Sequence, residues 1–196
     1  MSAKGSATRQ SIVARGFELA GQLGLEGLTI GQLAEQLELS KSGLYAHFKS
    51  KEALQIGVVE HAVAQFVDRV VRPSLLTPRG EPRVRAMFAA WLDWGLGQPS
   101  GCFFMASTFE LDDRPGPVRD ALAASQRDWV ETLATAARIA QREGHFRPDL
   151  DTEAFAFSEY GIVLATAHHH RLLAHPRARA LALSSFDDLV AAARAR

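Results

Sequence analysis

Between Leu39 and Glu52 the chain sets out Lys41, Ser42, Gly43, Tyr45, His47, Lys49 and Lys51 around two apolar residues, Leu44 and Phe48, placed four apart. Ammonium, phenol and imidazole groups donate hydrogen bonds to phosphate oxygens, the contacts that seat a protein on a duplex. Gly43 has no side chain, so its backbone can come close to base edges. Thr29, at the start of an expected helix, adds a hydroxyl and free backbone amides for a further phosphate. Other reactive groups point to less. His168, His169 and His170 are consecutive, and on a helix they project about 100° apart. Metal pairs on a helix need spacings of three or four, so no metal site is expected, only exposed or interface histidines open to a pH response. Cys102 is the one cysteine. It excludes an intrachain disulfide and reads as a buried thiol rather than a redox sensor.

The acids Asp112–Asp113 and the pair Asp149 and Asp151 fall in proline-bearing loops and read as turns or caps. No nucleophile elbow, P-loop, zinc signature or dinucleotide fingerprint is present. No catalytic residue and no cofactor are therefore expected.

The elements that would position the basic cluster are helical. Ile12, Gly16, Leu19, Ala20 and Leu23 recur at helical spacing, which predicts a helix over about 8–23 stopped by Gly24, with 1–7 as a frayed arm. Thr29 and Gln32 form a capping box, so a short second helix begins at Ile30, with Ile30, Leu33, Ala34 and Leu37 on its apolar face. Ser40 caps a third over 41–48, and Ser50 a fourth over 50–72, ended by Pro73. Two short helices joined by a tight turn and braced by a longer one make a helix-turn-helix. Leu44 and Phe48 should point inward, leaving the basic set outward. Glu38, an acid beside the turn, departs from that pattern.

Leu28-Thr29-Ile30, Leu39-Ser40-Lys41 and the run Leu44-Tyr45-Ala46-His47-Phe48-Lys49-Ser50-Lys51-Glu52 resemble the DNA-binding signature of the TetR family of bacterial transcriptional regulators, over about residues 8–60. The resemblance implies an all-α fold with a three-helix head at 1–52, linked by helix 50–72 to a helical ligand-binding and dimerisation domain at 53–196. It implies double-stranded DNA, a small-molecule effector and a second copy of the chain as partners, and a repressor released from a palindromic operator. The stretch from Gly101-Cys102-Phe103-Phe104 to Pro117 is similar to a recurring C-terminal variety of the family.

Beyond the head, helices are expected at about 82–97, 102–111, 116–143, 151–173 and 176–194, broken by glycine and proline. Trp91, Trp94, Phe103, Phe104, Phe109 and Trp129 crowd this region. They read as core, or as the lining of an apolar pocket for the effector. Phe155, Ile162, Thr166 and Leu173, with Phe186, Leu189 and Val190, offer apolar faces on the last two helices and are expected to pair with a second copy.

Composition sets the frame. With 32 Ala and 23 Leu against 12 Val, 5 Ile and 8 Thr in 196 residues, the chain favours helix over strand. Basic and acidic residues balance at 22 each, so DNA binding must be a local property. Residues 1–51 carry six bases and four acids, a small positive bias. The longest uncharged run, Gly95 to Phe109, is too short and too broken to span a membrane, and the first ten residues lack the apolar core of a signal peptide. A cytoplasmic protein is expected. A helical enzyme, or a scaffold using the helix-turn-helix for protein contacts, stays open as the alternative.

Overall fold

The computed structural model describes residues 3–98 and 101–195. Its elements are α1 (Ala3–Leu23), α2 (Ile30–Gln36), α3 (Lys41–His47), α4 (Lys51–Phe66), a π-helical segment (Val67–Val71), α5 (Arg72–Leu75), α6 (Glu81–Gly97), α7 (Phe103–Leu111), α8 (Pro117–Arg142), α9 (Thr152–Arg171) and α10 (Ala178–Ala193). The fold is all-α; among the described residues the only β pairing is an isolated bridge between Phe146 and Arg194. Two compact units emerge, Met1–Gln65 with Cys102–Ala124, and Phe66–Gly101 with Ser125–Arg196. The chain thus crosses between units inside the α4–α5 rod and inside α8, rather than at residue 52.

In the first unit α1 begins earlier than its periodicity predicted. Residues 3–7 join the helix, and the expected arm is confined to Met1 and Ser2, outside the described residues. Ile12, Leu19 and Ala20 are buried as expected, but Leu23 at the helix end is half exposed. Gly16 is there for close approach: a Cβ would sit 2.8 Å from Val58 Cγ2.

Helix 51–75 runs through Pro73 rather than stopping before it. The π turn is the reason. Arg72 N donates to Val67 O, five residues back, and a widened turn accommodates a proline that a regular α-helix would reject. Ser74 Oγ closes the turn on Val70 O at 2.6 Å.

In the second unit α9 packs along α10 and against α6. Phe88 of α6 stacks on Phe186 of α10, with centroids 3.7 Å apart and planes 5° from parallel. Arg147 N donates to Ala193 O at 2.9 Å and Ala195 N to His145 O at 3.1 Å, tying the end of α10 to the α8–α9 connection. Glu81 receives Arg85 and Arg194, each at 2.7 Å. Arg194 above all, with Arg85, holds its carboxyl down at about 2.

Candidate nucleic-acid interface and effector site

Local hydrogen bonds build the recognition unit. Thr29 Oγ1 accepts from Gln32 N at 3.2 Å and donates to Gln32 Oε1 at 2.8 Å. Ser40 Oγ accepts from Gly43 N at 3.0 Å, and Ser50 Oγ from Ala53 N at 3.1 Å. Each cap satisfies an amide that a helix start leaves unpaired. Between α2 and α3 the turn is closed by Leu39 N donating to Ala34 O at 2.9 Å. Glu38 sits at its apex with φ +53°, a left-handed conformation that costs a residue with a Cβ about 1 kcal/mol.

These contacts fix what α3 shows. Leu44 and Phe48 are buried, with 0% and 2% of their surface exposed. Arg9 of α1 lies over the Phe48 ring, 4.8 Å from its centroid. Lys41, Ser42, Tyr45 and Lys49 are exposed, as is Thr29, while Gly43 and His47 are half-buried. Lys51 is engaged within the unit: its Nζ donates to Glu26 O at 2.7 Å and lies 3.5 Å from the Glu26 carboxylate.

A second arrangement in this unit had no sequence signal. Glu110, on α7, accepts from Leu25 N at 2.7 Å and Glu26 N at 3.0 Å, in the turn between α1 and α2. Gln55 Nε2 donates to Leu25 O at 2.7 Å. Gly24, with φ +78°, makes room, since a Cβ there would lie 2.5 Å from Glu110 Oε1. Phe103 of the same helix rests on Phe17 at 5.4 Å. So α7, encoded far from the head, grips the head's first turn.

The six expected pocket rings separate. Trp91, Trp94 and Trp129 belong to the second unit, Phe103, Phe104 and Phe109 to the first. Phe103 and Phe104 are buried, and Phe109 is 68% exposed. The tryptophans form a linked cluster with two rings that the sequence did not single out. Phe66 meets Trp94 at 5.8 Å and Trp129 at 4.8 Å, and Trp91 meets Trp129 and Tyr160, each at 5.3 Å. Tyr160 Oη donates to Gln126 Oε1 at 2.8 Å. Glu159 follows Phe155 and precedes Val163 by four residues on the buried stripe of α9 and is 1% exposed. A charged residue in that register was legible in sequence. Both its oxygens, and Trp129 Nε1, are buried without a hydrogen-bond partner among the described residues. Burial pushes the Glu159 carboxyl up to about 8.

Of the residues expected at a face between copies, Phe155, Thr166, Phe186 and Val190 are buried in the protomer's own core. Their apolar stripes are spent on neighbouring helices of the same chain. Ile162 and Leu189 are half-buried and Leu173 is exposed. What α9 and α10 leave open is a groove of about 480 Å³ lined by small residues, among them Gly161, Ile162, Ala165, Ala178, Leu181 and Ala182.

The remaining candidates have structural partners. His168, His169, His170 and Arg171 occupy the last turn of α9, where positive charge suits the helix dipole. Among the described residues no three His, Cys, Asp or Glu could hold a metal ion. Asp151 caps α9 through the amides of Glu153 and Ala154, and Asp149 pairs with Arg147 at 2.8 Å. Cys102 is buried at the start of α7. No helix among the described residues is long and apolar enough to cross a membrane.

Family comparison decides between the readings. The model for bacterial regulatory proteins of the tetR family matches residues 12–56, and that for the tetracyclin repressor-like C-terminal domain matches 80–186. The chain belongs to the TetR family. It is a DNA-binding transcriptional regulator. It is similar to the HTH-type transcriptional repressor NemR of Escherichia coli K12, 28% identical over 144 residues and 70% of each chain. A TetR-family regulator from Cytophaga hutchinsonii shares its fold at TM-score 0.88 and 22% identity, covering 100% of this chain and 99% of that one. AibR, solved with isovaleryl coenzyme A and operator DNA, shares it at TM-score 0.73 and 22% identity, covering 95% and 97%.

Proposed function

We propose that this TetR-family protein is a repressor that holds a near-palindromic operator as a homodimer and leaves it when a small, largely apolar molecule enters the tryptophan cluster. The observation that carries the DNA half is the outward set on α3. Lys41, Ser42, Tyr45 and Lys49 are exposed on a helix whose start is capped by Ser40 and whose inner face is buried through Leu44 and Phe48. Thr29, Gly43, His47 and Lys51 complete the proposed contact set, Lys51 by way of the Glu26 turn it holds. One such helix reads only a few base pairs, which is too little specificity against a genome, so two copies are needed. The α9–α10 groove is the face that supports pairing, because small residues let helices approach closely.

The effector half rests on Trp91, Trp94 and Trp129, now joined by Phe66 and Tyr160. The chain offers two routes from there to the head: the unbroken rod 51–75, and α7, which follows α6 after a short connection and carries Glu110. Weakening DNA binding about 100-fold needs roughly 2.7 kcal/mol of coupling, and DNA must then weaken effector binding by the same factor. The test is a gel shift and footprint on the protein's own promoter region, repeated with effector candidates. A protected near-palindrome that is lost on adding ligand is the expected result. No shift on any promoter fragment favours the scaffold reading, and turnover of a bound compound the enzyme reading.

A further inference from the structure

Glu159 is a carboxyl in the apolar core of a unit that gives it nothing to bond. It lies on the buried stripe of α9, 1% exposed, with neither oxygen paired, beside a residue, Tyr160, that touches Trp91. An unpaired buried acid is a liability to folding, and an apolar residue of similar size would serve the core better. Charged groups on the helices packed against α9 are committed elsewhere. On α6, Glu81 and Arg85 bind each other, and Arg85 also binds Asp187 of α10 at 2.6 Å; Asp93 of α6 binds Arg179 of α10 at 2.6 Å. Burial is the one influence on Glu159.

Three ligand classes can be weighed against this setting. An anion would meet a carboxyl and the negative faces of indole rings. A neutral apolar molecule would satisfy the rings and leave Glu159 as it is. A cation would answer both, pairing with the carboxylate and lying against faces that attract positive charge, tryptophan most of all. We propose that the effector is an organic cation, a permanently charged or protonated ammonium on an apolar body, and that Glu159 is the carboxylate that receives it beside Trp91, Trp129 and Tyr160. This rests on the reading of the tryptophan cluster as the effector site. Ring centroids there stand 4.8–5.8 Å apart, so the entering body must part α6, α8 and α9. Glu159 holds its proton near neutral pH, so taking up the cation releases that proton to solvent, and the complex keeps a neutral pair in the core.

The test is tryptophan fluorescence of the full chain, titrated with phenyltrimethylammonium and with tert-butylbenzene, which share a shape and differ by a charge that does not titrate. The ammonium should bind at least ~10-fold tighter. Its affinity should rise about tenfold per pH unit from pH 6 until near pH 8 and then level, while tert-butylbenzene shows no such slope. Glu159→Gln, neutral and of the same size, should abolish the preference and the slope and leave tert-butylbenzene within about twofold of the parent. Glu159→Leu should do the same, and circular dichroism checks that both variants fold. Equal binding of the two probes, or a preference that survives Glu159→Gln, overturns the cation assignment and leaves the cluster standing as an effector site. If neither probe perturbs the tryptophans, the cluster is core and both readings fall.

Discussion

Replacing Glu110 by alanine removes two hydrogen bonds to the backbone of the first turn of the head. The carboxylate accepts from Leu25 N at 2.7 Å and from Glu26 N at 3.0 Å. Charged hydrogen bonds contribute about 1.5–3 kcal/mol each when buried. Glu110 is half-buried, which places the pair toward the low end, about 2 kcal/mol in all. At 25 °C that energy corresponds to a factor of about 30 in local opening. Hydrogen exchange followed amide by amide should therefore show Leu25 and Glu26 exchanging about 30-fold faster in the variant, with α3 amides little changed. Global melting should fall by about 4–8 °C, as expected for a chain of this length. Gly24 offers an internal check. A Cβ at residue 24 would lie 2.5 Å from Glu110 Oε1, and the backbone there has φ +78°. Gly24→Ala should thus cost more in the parent than in Glu110→Ala, because only the parent has the carboxylate to displace. The coupling between the two changes should be about 1 kcal/mol. Unchanged exchange at Leu25 and Glu26, or strictly additive costs, would refute the clamp and with it the α7 route for the switch.

Other expectations follow from the same geometry. Tyr45→Ala and Lys49→Ala should weaken all DNA sequences about equally, with Lys49→Ala also lowering the salt slope by about 1, while Lys41→Ala or Ser42→Ala should change sequence preference by about 1–3 kcal/mol; anisotropy titrations against an operator and a scrambled duplex distinguish them. Glu38→Gly relieves the left-handed strain and removes an acid from the turn, so urea unfolding should show a gain of up to about 1 kcal/mol and DNA binding should tighten. Ala165→Trp in the small-residue groove should yield monomers in sedimentation at micromolar concentration, and a parent already monomeric there would sink the dimer proposal. Glu159 has a folded pKa raised from 4.5 to about 8, so the folded state binds the extra proton. The stability this contributes is full below about pH 4.5 and lost as pH rises through 8. Glu159→Gln should remove that slope and gain on the parent by a few kcal/mol between pH 5 and 9, measured by thermal unfolding.

Much of the head was legible because its signals are local. Thr29, Ser40 and Ser50 cap helices through amides three residues on, so reading a dozen residues locates α2, α3 and the start of α4. Leu44 and Phe48 at a spacing of four decide which side of α3 is buried, and the exposed set follows by exclusion. Pro73 shows where a local rule yields: proline ends an α-helix, but a π turn formed by the preceding five residues lets the rod continue to Leu75. The apolar faces of the last two helices were ambiguous in a different way. Phe155, Phe186 and Val190 announce a face to be covered, and nothing near them says whether the cover is the same chain or another. Tertiary packing of α6 and α10 decides for the same chain and leaves the small-residue groove outside. The same holds for Phe66 and Tyr160, which join the tryptophans only because helices separated by many residues meet. Glu110 and the turn it grips lie some 85 residues apart, and no periodicity relates a carboxylate to amides at that distance. Helix starts, stops and buried stripes depend on hydrogen bonds and side chains within a turn or two, so the chain determines them unaided; which buried group meets which, and which is left unpaired, depends on distant segments competing for one interior, and only the folded molecule decides it.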